Sequence, residues 1–134
     1  MPPTLVDTDI LSMFLKGQPL VISRFETYLQ HHAKINLSLI TYYEITSGLK
    51  HLGATKRLTI FLEFCEANII VPLSQPAVEI AASLYAELRL KGTPVDDIDL
   101  LIAGTALAHN LVLATHNVRH FGRITPLQIV DWGS

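Results

Sequence analysis

Three carboxylates stand where side chains of that kind can act together. Asp7 ends the apolar run Thr4-Leu5-Val6. Glu44 lies within Ile40-Thr41-Tyr42-Tyr43-Glu44-Ile45, and Asp99 within Ile98-Asp99-Leu100-Leu101-Ile102-Ala103. The last two are set in apolar sequence, where an ionised carboxyl is costly unless something compensates it. Two carboxylates about 4 Å apart repel by roughly 4 kcal/mol at an effective dielectric near 20. A cluster of them therefore raises a pKa, loosens the fold locally, or holds a cation. Hard, all-oxygen donors suit Mg2+, with Mn2+ as a substitute. Such an ion activates a water and offsets charge on a phosphate, which is what phosphodiester hydrolysis needs. Each acid also has a plainer reading by itself. Asp7 can cap a helix, Glu44 can sit in a first helical turn, and Asp96 with Asp99 has the spacing of a cap and a first-turn acid.

The elements that must position these residues alternate between short apolar strands and amphipathic helices. Strands are expected over 4–6, 34–39, 68–73, 111–114 and 127–130. Helices are expected over 10–16, 20–31, 41–52, 55–66, 76–90 and 96–108. Gly17, Gly53 and Gly92 follow three of the helices, Asn110 is a left-handed cap, and Pro76 falls in a first turn. This alternation predicts an α/β fold with a mainly parallel sheet covered on both faces. Sites in such sheets form beyond the carboxyl ends of the strands. Asp7 lies at a strand end, Glu44 and Asp99 lie at helix starts, and Thr115-His116-Asn117 follows the fourth strand.

The composition narrows the function. The chain has 134 residues, 49% apolar and 16% charged, with a mean hydropathy of +0.35. One domain over 1–134 can bury a core and leave apolar surface for a partner protein or a second copy. A net charge of −2 excludes a strongly basic nucleic-acid-coating protein but not an acidic-site nuclease. Cys65, the only cysteine, reads as a small buried hydrophobe. Residues 100–118 contain no Asp, Glu, Lys or Arg, but Gly104 and His109-Asn110 break the run, so no membrane span is expected and the cytoplasm is the default compartment. Tyr43 is expected in the core and Trp132 as an anchor for the last strand.

Four segments resemble the motifs of PIN-domain nucleases, and the order and spacing of the third and fourth are specific. They are Leu5-Val6-Asp7-Thr8-Asp9, Ser38 to Ile45 with Gly48-Leu49 following, Lys91 to Gly104, and Leu113-Ala114-Thr115-His116-Asn117-Val118-Arg119-His120-Phe121, with Asp131-Trp132 closing the chain. The resemblance covers essentially the whole chain and lies nearest the VapC toxins of toxin–antitoxin (VapBC) pairs. It implies a three-layer α/β/α sandwich with about five strands, and Mg2+-dependent endoribonuclease activity on RNA, tRNA among the targets. It implies that Asp7, Glu44 and Asp99 are the catalytic, metal-binding carboxylates, supported by Thr8 and Thr115. It also implies a cognate VapB-type antitoxin and a homodimer. The fourth acid departs from the pattern, because neither Asn117 nor His120 is acidic. Asn117 can offer a carbonyl oxygen, and Asp96 or Asp97 can supply charge, although Asp96 is equally well explained as a helix cap. Arg119 is the candidate for RNA phosphate contact, while His116 and His120 have the type for proton transfer. A PIN-fold scaffold with weakened catalysis is the alternative. A receiver-type phosphoacceptor domain is rejected, because the central strands run into Leu39 and Leu73 and the late one into Thr115.

Overall fold

Three features of strand β1 (Thr4–Val6) organise the molecule: it is short, wholly buried, and central. A computed structural model describes all residues 1–134. It places β1 between β2 (Asn36–Ser38) and β4 (Val112–Ala114), with β3 (Ile69–Val71) and β5 (Ile129–Val130) at the edges. Every pairing is parallel, in the order β3-β2-β1-β4-β5.

Side chains of these strands alternate between two cores. Leu5 and Leu113, opposite one another, join one apolar cluster with the helices α5 (Gln75–Leu90) and α6 (Asp97–Ala108). Val6, Leu37 and Ala114 join the other, under α1 (Thr8–Leu15), α2 (Pro19–Leu29), α3 (Leu39–His51) and α4 (Thr55–Ala67). This two-residue period makes the three layers expected from the sequence.

The two faces pack differently. On the first, α6 is buried almost all round, which removes the amphipathic stripe of a surface helix. Its Gly104 admits α5 so closely that a Cβ there would lie 2.4 Å from the Ala77 carbonyl oxygen. On the second, aromatic rings fill the space. Phe14 stacks on Phe25 at 4.1 Å, and Trp132, 2% exposed, meets Phe25 edge-on at 5.7 Å. Burying a ring of this size stabilises by about 1.5–3 kcal/mol, which is how Trp132 anchors the last strand. Cys65 is buried as expected, and burial pushes its thiol up to about 11. Tyr43 is 64% exposed, a correction to the core placement. Position 43 falls on the outer side of α3, away from the buried Thr41 and Ile45.

Boundaries shift where caps decide them. Asp7 caps α1 by accepting from the Thr8 N–H, so the helix begins two residues before the expected start. Ser38 caps α3 by accepting from the Thr41 N–H, so α3 begins at Leu39 rather than Thr41. Glu44 therefore lies in the second turn of α3, not the first. A further short helix, α7 (Val118–Phe121), follows β4. Asn110 has φ +55°, the left-handed conformation expected of it. No helix is long and apolar enough to cross a membrane.

Candidate active site

The chain starts in the middle of the sheet, runs outward through β2 and β3, then crosses to β4 on the other side of β1. The connections after β1 and β4 leave in different directions, which opens a crevice between their carboxyl ends. Asp7 follows β1 directly and Thr115 follows β4 directly, so these two side chains face one another across that crevice. Thr115 Oγ1 donates to Asp7 Oδ2 at 2.7 Å, and the Thr8 N–H donates to Asp7 Oδ1 at 2.8 Å.

Helices bring the remaining acids to the same rim. The α3 helix packs against α6, which carries Glu44 toward Asp99 in the first turn of α6. Glu44 Oε1 accepts from Thr8 Oγ1 at 2.6 Å, and Thr8 Oγ1 also shares a hydrogen bond with Thr41 Oγ1 at 2.9 Å. Thr8 thus touches the carboxylate of α3 through its hydroxyl and that of Asp7 through its backbone. Asp96 caps α6 by accepting from the Ile98 N–H at 3.2 Å.

The acids affect one another's ionisation. Burial, then the charge of Asp9, pushes Asp7 up to about 8, against the hydrogen bonds from Thr115 and Thr8; Asp99 adds to the rise. Asp99 is pushed up to about 6 by burial, then by the charges of Asp96 and Glu44, with Asp9 adding and His120 opposing. Asp7, Glu44 and Asp99 therefore share one field at one edge of the sheet. Their donors are all hard oxygens, a chemistry that fits a divalent cation and whose mutual repulsion a cation relieves. No three of the side chains converge on a single point as they stand. Glu44 is engaged by Thr8 and Asp7 by Thr115, so an ion would draw these carboxyls from hydrogen bonds they already make.

At the end of β4 the polar side chains pair with one another. The Asn117 amide is hydrogen-bonded to His120 Nδ1 at 3.1 Å rather than to any carboxylate. The Asn117 N–H donates to Thr115 Oγ1 at 3.0 Å, which braces the threonine that holds Asp7. Arg119 is exposed on α7.

Two features were not found from the sequence. Asp9 accepts from the His116 N–H at 3.1 Å and its charge reaches both Asp7 and Asp99; its signal was the second acid in Asp7-Thr8-Asp9. His116 Nδ1 lies 3.1 Å from Asp131 Oδ1, and that hydrogen bond, then the charge of Asp131, raises the imidazole above its usual range. Burial works weakly against Asp131, yet the bonds from His116 and the Gly133 N–H hold its carboxyl below the ordinary value. Fifteen residues separate this pair, and no local pattern announces it.

Beside Glu44 runs a groove of about 250 Å³ between α1, α3 and α4, with Leu15, Leu49, Leu52 and Ile60 in its walls and Lys16 and Arg57 among its polar residues. It is the apolar surface that the composition called for.

Known proteins share this arrangement of the chain. The PIN domain family model matches residues 4–125. Ribonuclease VapC1 of Haemophilus influenzae is 31% identical over 132 residues, 96% of each chain. The tRNA(fMet)-specific endonuclease VapC of Salmonella typhimurium is 31% identical over 129 residues, again 96% of each. Among solved structures, DNA-bound VapBC from Salmonella typhimurium contains a chain that superimposes with a TM-score of 0.87 at 30% identity, over 98% of this chain and 99% of that one. VapBC-1 from nontypeable Haemophilus influenzae gives 0.85 at 29% identity, over 98% of each.

Proposed function

The chain belongs to the PIN-domain family, in its VapC branch, and from that premise we propose that it is the toxin of a type II toxin–antitoxin pair, a Mg2+-dependent endoribonuclease acting as one PIN domain. The observation that carries this reading is the gathering of Asp7, Glu44 and Asp99 at the sheet's carboxyl rim, where burial first and neighbouring acids second raise Asp7 to about 8 and Asp99 to about 6. Asp7, Glu44 and Asp99 hold the ion, with Asn117 and Asp96 as weaker contributors through a carbonyl oxygen and added charge. When bound, Mg2+ supplies Lewis acidity and a more acidic water. The chain's own residues do the rest. Thr115 and Thr8 orient Asp7 and Glu44. Arg119, exposed beside the fourth strand, meets RNA phosphate.

The substrate class and partner follow from the relatives. Relatives aligned over 96% of each chain are named either ribonuclease or tRNA(fMet)-specific endonuclease, which makes tRNA the first RNA to test. The structural neighbours are toxin–antitoxin complexes. A VapB-type antitoxin is accordingly the partner, and the apolar groove ending at Glu44 is the surface for it. Occupying that groove puts the antitoxin beside the carboxylates, where a basic side chain would compete with the metal. The active form is a homodimer in the cytoplasm.

The test is cleavage of total RNA by the antitoxin-free chain, with sequencing of the RNA ends. Wild type should cut with Mg2+ or Mn2+ and stop with a chelator; Asp7→Asn and Asp99→Ala should cut at neither condition. Cleavage by Asp99→Ala equal to wild type would overturn the reading. A second reading, a PIN-fold scaffold with weakened catalysis, is favoured by one observation, the absence of an acid at 117 and 120. Inactivity of the wild type in excess Mn2+ would select it.

A further inference from the structure

We propose that Lys16 and Arg57 receive an acidic side chain of the antitoxin segment that fills the apolar groove, at the end of the groove remote from the carboxylate rim. The inference rests on the toxin reading above and concerns the chemistry of that partner segment. The groove is polar at its two ends and apolar along its walls. Thr8 and Glu44, joined at 2.6 Å, mark the rim end. The helices α1 and α3 leave the carboxyl ends of adjacent parallel strands and pack together, so they run from that point in the same sense. Lys16 caps α1 eight residues after Thr8, and Leu52 caps α3 eight residues after Glu44. At about 1.5 Å per residue, both lie about 12 Å from the rim end. Arg57, in the first turn of α4, lines the same far end.

These two cations have no partner within the chain. The ion pairs join Lys91 to Glu87 and His116 to Asp131, and involve neither Lys16 nor Arg57. Residues 10–25 and 45–62, which supply the far end, contain no Asp or Glu. Nor does the fold call for Arg57 where it stands. Ala54 gives α4 no side-chain cap, the first turn of α4 holds no acid, and a helix start disfavours a cation. A carboxylate supplied from outside corrects that imbalance. The occupant must also cover the walls, where Leu52 is 67% exposed and Ile60 50%. Aliphatic side chains of a protein segment bury that surface. A phosphate backbone does not, and it would meet the Glu44 carboxylate at the rim end. A segment with a base at the rim, aliphatic residues along the groove and an acid at Lys16 and Arg57 fits in one charge order only. The groove thus selects its antitoxin by the order of its charges.

The probes are two synthetic helical peptides of about twelve residues, each with leucines along one face and an arginine in the first turn. One ends in a pair of glutamates, its twin in a pair of lysines. Fluorescence anisotropy measures their binding to the antitoxin-free full chain at low salt. The wild type should bind the glutamate peptide about tenfold more tightly than the lysine peptide, a preference that added salt reduces. Lys16→Glu combined with Arg57→Glu, with wild-type circular dichroism, should reverse the preference. Arg24→Glu combined with Lys34→Glu makes the same change in net charge outside the groove and should keep the wild-type order. Failure of the glutamate peptide to bind, a preference that survives reversal at 16 and 57, or a reversal that the control shares overturns the inference. So does RNA cleavage that falls with the same two reversals, which would give the cations to phosphate. A dimer that dissociates with them would give the groove to a second copy and overturn it too. Cleavage by the wild type, lost in Asp99→Ala, keeps the two levels apart. If the peptides fail while that cleavage is present, only the role of Lys16 and Arg57 fails; if it is absent, the nuclease reading fails as well.

Discussion

The middle and the start of α6 show opposite ways of using one helix. In its middle, Gly104 lies against the Ala77 carbonyl and the helix is buried on nearly every side. Close packing of small residues is favourable there, because each added contact gains dispersion energy and nothing polar is left unpaired. At its start, Asp99 faces Glu44, Asp96 and Asp9, all of like charge. That end opposes folding. The packed seam provides the rigidity with which the rim holds its acids together. A looser helix would let the carboxylates move apart into water.

Substitutions at the packed seam and at the acidic rim should therefore act with opposite sign on stability. The largest effect is expected at the seam. Gly104→Val drives a side chain into the Ala77 carbonyl and should cost about 3 kcal/mol or more, read as a lower urea midpoint with an unchanged slope. A neutral result would mean that α5 moves freely and the seam is not rigid. At the rim, Asp7→Asn should raise the stability of the metal-free chain at pH 8 by about 1–3 kcal/mol while abolishing RNA cleavage. A destabilised Asp7→Asn would show that the acidic rim does not oppose folding.

The pH dependence sharpens it next. Asp7 and Asp99 titrate near 8 and near 6 in the folded chain, against 3.8 when unfolded. Between those values the folded state binds more protons, so stability falls as pH rises from about 4 to about 8 and levels off above that. Thermal midpoints across this range should decline without divalent ions, and saturating Mg2+ should flatten the decline. A midpoint that rises with pH in this window would contradict the raised values. Thr115→Val removes the bond to Asp7 and leaves the Asn117 N–H without its acceptor; a loss of about 1 kcal/mol is expected, together with weaker Mn2+ binding. The smallest effect belongs to Asp131→Asn. It should return the imidazole of His116 toward its ordinary titration range, seen in NMR, with little change in stability because the pair is largely exposed.

Much of the fold is legible in the sequence. Strand and helix alternation led to the parallel sheet, and each expected strand and helix is present. The strands are shorter than expected, and the starts of α1 and α3 moved because caps act there. Asp7 and Ser38 each ended one element and began the next, and a side chain with both roles cannot be assigned from hydrophobic periodicity. Tyr43 was misplaced because an aromatic in apolar sequence reads as core, whereas the helical phase of α3 turns that position outward. Asp9 was passed over because its neighbour Asp7 already filled the strand-end position.

The residues themselves determined that hard oxygen donors follow apolar strands and start helices; the missing fourth acid is visible only against the family pattern the chain resembles. These are properties of residue type and spacing, set within a few turns of chain. Only the tertiary structure decided that Asp9 bonds to the backbone of His116, that Asn117 turns to His120, and that Asp131 holds the His116 ring. These pairings join segments far apart in the chain or depend on rotamers, and a sheet order that crosses back over β1 is what brings the segments together. Local sequence carries no record of that crossing, because it is selected by the packing of whole helices against two faces.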